Sequence, residues 1–173
     1  MNLKKFNQLV FNENSKVYAV LDGASIPDLP MKLYEMRPQH ICLYRGELEP
    51  DIAEVAPYLV RMIPETDFTN WILTSGWGSH WGIFAQTRFS IYELRKHFRS
   101  FLTVHDEDGN PMLFRYYDPR VWRTFLPTCN TEELDTFFKT VTNYLLEDEN
   151  PDNLLNYSLQ NGELKLTQES VKQ

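Results

Sequence analysis

Cysteine is scarce in this chain. Cys42 and Cys129 are the only two, far apart and outside any C-x-x-C spacing, and no pattern supports a disulfide between them. Two free thiols in a reducing compartment is the plain reading. Long apolar runs are missing as well. Nowhere do ~18 apolar residues follow one another, so no helical membrane span is expected, and Lys4 and Lys5 lead into no apolar run of signal-peptide length. A cytoplasmic protein without membrane insertion is the expectation. Positive charge is in short supply: 17 Lys and Arg stand against 24 Asp and Glu, a net charge of −7. A general nucleic-acid binder needs a basic footprint, so no nucleic-acid partner is expected.

Catalytic signatures are missing too. The chain contains no G-x-x-x-x-G-K-[ST], no G-x-G-x-x-G, no H-E-x-x-H and no G-x-S-x-G. Gly76-Trp77-Gly78 is a G-x-G fragment that reads as a tight turn. The four histidines, His40, His80, His97 and His105, are never three or four residues apart, so a metal site from them would have to be assembled across the fold. Neither metal nor cofactor is expected. Cys42 lies in an apolar run, which favours an inert thiol over a nucleophile.

What is present is an ordinary globular composition: 173 residues, 42% apolar and 24% charged, with aromatics high at 14%. Short runs with strand character, Val17 to Leu21, His40 to Tyr44, Pro57 to Met62 and His80 to Gln86, alternate with helical segments. One helix is expected from an Asp28 cap to Met36, and another over residues 65–75, where Phe68, Trp71 and Ile72 form a stripe. Asn130 and Glu133 make a capping pattern. Leu134, Phe137, Phe138, Val141, Tyr144 and Leu145 then follow helical spacing, which predicts one long amphipathic helix. Beyond Pro151, a weak hairpin about Asn161-Gly162 and a frayed tail are expected. The expected fold is mixed α+β: a small central sheet with flanking helices, one hairpin and a compact C-terminal helical cap. Residues 1–150 form the domain and 151–173 a short extension.

Residues 88–128 stand out. They hold seven basic residues against five acidic ones, in a chain that is otherwise strongly acidic. Ser90 and Glu93 form a capping box, with Ile91, Leu94 and Phe98 as the buried stripe of the helix it opens. Two strands, Phe101 to His105 and Met112 to Tyr117, flank a turn-rich junction. Asp118 caps a second short helix that has Pro119 at its first position. Arg115 reads either as the partner of Asp118 or another carboxylate, or as a surface contact. Arg95, Arg99, Arg120 and Arg123, with Tyr92 and Trp122, are the residue types enriched at protein–protein hot spots, and form a candidate partner-binding patch.

The run from Ser100 to Thr128, SFLTVHDEDGNPMLFRYYDPRVWRTFLPT, resembles the signature of the type VI secretion effector-adaptor (effector chaperone) family, once catalogued as a domain of unknown function. Tyr18 to Ala24, Glu54 to Val60 and Trp81 to Phe84 are similar to further elements of that family, and the likeness spans roughly residues 17–149. The motif positions carried are Phe114, Arg115, Tyr117, Asp118, Pro119 and Arg120. The resemblance implies a non-enzymatic adaptor that binds a cognate toxic effector and helps load it onto the VgrG spike. Two other readings stay open on the residues alone: a small hydrolase or transferase built around His105 and nearby carboxylates, or a permanent subunit of a larger assembly.

Overall fold

The structure, a computed structural model, describes residues 2–172. Nine strands occur among them: β1 (Lys16–Asp22), β2 (His40–Cys42), β3 (Pro57–Met62), β4 (Gly82–Thr87), β5 (Thr103–His105), β6 (Pro111–Leu113), β7 (Asn143–Glu147), β8 (Asn153–Gln160) and β9 (Glu163–Ser170). Seven of them build one sheet in the order β2-β3-β1-β4-β7-β8-β9, and β5 with β6 makes a separate hairpin. Every pairing is antiparallel, so the alternation of strand and helix along the chain does not produce parallel crossovers. The fold is mixed α+β.

The central strands β1, β3, β4 and β7 are apolar on both faces because helices cover both. Alternate residues of each strand serve opposite layers. Tyr18, Val20, Leu59, Ile83, Ala85, Tyr144 and Leu146 face one core, shared with α5 (Ile91–Arg99), α6 (Pro119–Phe125) and α7 (Thr131–Phe138). Val17, Ala19, Leu21, Val60, Phe84 and Leu145 face the other, shared with α1 (Leu3–Val10), α2 (Leu29–Met36) and α4 (Asp67–Trp71). The brief α3 (Pro50–Val55) leads into β3. Helix α1, not anticipated from the sequence, is capped by Asn2, whose side chain accepts from Lys5 N at 3.1 Å, and buries Phe6 and Val10 one turn apart.

Several expectations are corrected. The helix predicted to run on from Leu134 to Leu145 stops at Phe138, confining the helical cap to α7, and the remainder is strand β7. The reason lies in Thr140, Val141 and Thr142, β-branched residues poorly suited to continue a helix. Tyr144 and Leu145 are then buried on opposite faces, which a strand achieves and one helix stripe cannot. The boundary expected near residue 150 is not one. β8 pairs with β7 over five residues, Leu154, Leu155 and Tyr157 belong to the two cores, and Val171 is fully buried. Asp28 opens α2 in a left-handed conformation, φ 59°, with no side-chain capping bond. The helix over 65–75 is split into α4 and a five-residue π turn, Ile72–Gly76.

Candidate functional site

Strands β4 and β7 are neighbours in the sheet, yet residues 88–142 lie between them in the chain. This excursion contains α5, the β5–β6 hairpin, α6 and α7, all on one face of the sheet. Local chemistry shapes each piece. Ser90 and Glu93 form the full capping box at the start of α5, and Asn130 and Glu133 repeat it at α7. Asp118 Oδ1 accepts Arg120 N at 2.9 Å to open α6, with Pro119 at the first helical position. The hairpin turn is tied by Asp106, which accepts the backbone N–H groups of Asp108 (3.0 Å) and Asn110 (2.8 Å).

Three arginines fasten the excursion to one end of the sheet. Arg99 donates to the carbonyls of Leu43 (2.9 Å), Cys42 (3.1 Å) and Tyr44 (2.7 Å), at the end of β2. Arg115 pairs with Asp22 at the end of β1, not with Asp118. Asp22 is buried and also accepts Ala24 N (3.2 Å) and Ser25 Oγ (2.7 Å), and the hydrogen bond to it raises the pKa of Arg115. Arg123 donates to the Glu147 carbonyl at 2.7 Å, at the end of β7. Strand registers place these three anchor points at the same end, because Cys42 pairs with Tyr58, Asp22 with Pro57, Leu21 with Gly82, and Phe84 with Leu145.

The arrangement dissolves the single basic patch expected from the sequence. In the sheet order, β2 and β7 are four strand spacings apart, about 19 Å, so Arg99 and Arg123 do not share a patch. Trp122 is 0% exposed and packs edge-on against Phe137 and Tyr144, so it has no surface for a partner. Arg120 turns back on its own cap, with Nε 3.0 Å from Asp118 Oδ1 and a terminal nitrogen 2.7 Å from Oδ2. Burial raises the Asp118 pKa, but the side-chain and backbone hydrogen bonds from Arg120 outweigh it and hold the carboxyl below its ordinary range. Tyr117 and Pro119 are buried. Tyr92 is 65% exposed, and the Arg95 guanidinium lies 5.8 Å from its ring centre.

A different surface emerges between the hairpin and α6–α7. Phe114 and Phe125 meet edge to face at 4.8 Å and form a ridge with an open cleft on either side. One cleft, of about 490 Å³, is lined by Phe101, Val104 and Phe137, with Glu132 and Glu133 at its rim. The other, of about 630 Å³, is lined by Val121, Thr124 and Arg120. Val104, Met112 and Leu113 of the hairpin stand exposed beside them. Val104 lies in a strand as the sequence predicts, whereas Phe114, expected in the second strand, follows the end of β6 at Leu113; their joining Phe125 across a loop carries no local signal.

The histidines do not converge. His97 is buried against Tyr144 Oη at 3.3 Å, and burial lowers its pKa to about 4. His80 pairs with the buried Glu147, which also accepts Gly78 N, and this holds the loop before β4. His105 is exposed on the hairpin. Among the described residues, no three His, Cys, Asp or Glu side chains gather as metal ligands would. No helix among the described residues is long and apolar enough to cross a membrane.

Comparison with known proteins matches no curated protein and no solved structure. A protein-family model does match, over residues 17–136, from β1 into α7 and through the whole Asp118-Pro119 motif. By that match the chain belongs to the family described as Domain of unknown function (DUF4123).

Proposed function

We propose that this chain is an adaptor for type VI secretion, binding a cognate effector and helping to load it onto the VgrG spike without catalysing a reaction. The residues that resemble the effector adaptors, Leu113 to Arg120, fall inside the family-matched segment. The observation that carries the reading is the Phe114–Phe125 ridge with its two clefts. An apolar floor with one positive side chain, Arg120, and three negative ones, Asp118, Glu132 and Glu133, in its lining suits capture of an amphipathic segment of another protein. Tyr92 with Arg95 supplies a second exposed aromatic–cation contact on α5, of the type enriched at interaction hot spots.

The test is co-purification. The wild-type chain is expected to capture an effector and VgrG encoded beside it, and Val104→Asp with Met112→Asp, both at exposed positions, should lose one of them while far-UV circular dichroism is unchanged. Undiminished capture of both partners by the folded variant would overturn the assignment of the clefts. Failure of the wild-type chain to capture either would overturn the adaptor function.

A further inference from the structure

Among the described residues, strand β9 ends the sheet and is paired on one side only. It is eight residues long, whereas β2, at the opposite edge, has three. The direction of its backbone groups follows from two observations. The Asn161-Gly162 tip has both residues at positive φ, 54° and 78°, as a two-residue hairpin turn requires, and the flanking pair Gln160 and Glu163 is then hydrogen-bonded. Val171 N donates to the Asp152 carbonyl at 2.7 Å, in the same register and with the same parity. Residues 163, 165, 167 and 169 therefore bond to β8. Leu164, Leu166, Gln168 and Ser170 turn their N–H and C=O groups outward.

The side chains add to this. Leu164 and Leu166 lie on the face of the sheet that carries Tyr157 and Leu155, opposite Leu159 and Tyr157 respectively. Tyr157 is buried, but Leu166 is 52% exposed, so the apolar surface continues past the cover of α7. Glu163, Lys165 and Glu169 lie on the other face. A long exposed edge with an apolar strip is a template for another strand.

We propose that β9 pairs antiparallel with β9 of a second copy of this chain, about a two-fold axis through Thr167. Outward-facing residues must meet outward-facing residues, so the axis passes through a residue and few registers are possible. With the axis at Leu166, Glu163 meets Glu169 of the second copy. With it at Lys165, that lysine meets its own copy. With it at Thr167, Lys165 meets Glu169 twice, in the pairs without backbone bonds, where side chains are closest. Leu166 and Gln168 form the bonded pairs between them. The existing bridge from Lys165 to Glu163, 2.8 Å and solvent-exposed, competes little. A strand pair alone covers less than the roughly 800 Å² per partner of a lasting complex, so the association is weak and concentration-dependent. This inference does not rest on the adaptor reading.

Sedimentation velocity on the full chain, from micromolar to millimolar protein, tests it. A monomer–dimer equilibrium is expected. Lys165→Glu or Glu169→Lys alone should weaken it about tenfold, because two attractive pairs become repulsive ones. The double exchange should restore it. Gln168→Pro removes an outward N–H that the β8 ladder does not use, so the monomer should stay folded by circular dichroism and the dimer should be lost. A chain that is monomeric throughout, a dimer indifferent to Gln168→Pro, or a double exchange no better than either single would overturn the proposal.

Discussion

Truncating Arg99 separates the two roles an arginine can play in this chain. Its guanidinium serves three carbonyls, of Cys42, Leu43 and Tyr44. A hydrogen bond from a charged donor is worth roughly 1.5–3 kcal/mol, and an acceptor left buried costs its full desolvation. Cys42 and Tyr44 are half-buried, so water reaches their carbonyls after truncation, but Leu43 is fully buried. One full loss and two partial ones put Arg99→Ala at about 3 kcal/mol. For a chain of this length that lowers Tm by about 6–12 °C. Arg99→Lys keeps the charge but not the fork and should lose about 2 kcal/mol. Urea unfolding followed by the fluorescence of the four tryptophans measures both. If Arg99→Ala leaves the unfolding midpoint unchanged while abolishing partner capture, Arg99 is a contact and its bracing role is refuted.

Two further outcomes follow from buried titratable groups. His97 has a depressed pKa, so the unfolded chain takes up the proton first as pH falls below about 6.5. Stability is full above that pH and declines by up to about 3 kcal/mol towards pH about 4, and His97→Phe should flatten this slope in urea titrations at stepped pH. Asp118→Asn keeps the helix cap and should stay within about 0.5 kcal/mol of wild type, whereas Asp118→Ala should cost about 1–2 kcal/mol. Because the folded pKa of Asp118 is depressed, its advantage over Asn is present above its ordinary value and should vanish as pH falls through the folded one. Equal stability of the Asn and Ala variants at neutral pH would refute the capping role.

The parts legible in the sequence are those whose physics is local. Ser90 with Glu93, Asn130 with Glu133, Asp118-Pro119 and Asn161-Gly162 each act within four residues, and each does in the structure what its chemistry requires. The failures are non-local. Tyr144 and Leu145 sit at helical spacing from Phe137, and only the strands on either side of β7 decide that they belong to a sheet. A count of charges cannot distinguish Arg95, which reaches solvent beside Tyr92, from Arg99, Arg115 and Arg123, which are committed to carbonyls or a carboxylate. Residue type alone makes Trp122 a candidate contact, while its position in the core is set by α7 and β7 closing over it.

The insertion of residues 88–142 between the paired strands β4 and β7 also orders the folding reaction. Their pairing is a long-range contact that closes a loop over residues 88–142, and the entropic cost of such contacts slows folding. The three arginine anchors reduce that cost by pinning the excursion to β2, β1 and β7 at one end of the sheet. Until β7 docks, β4 is an open edge, and β8 and β9 have no sheet to extend. The clefts lie within the same excursion whose ends β4 and β7 join, so a perturbation that keeps β7 from docking on β4 is expected to disturb the clefts and the sheet together.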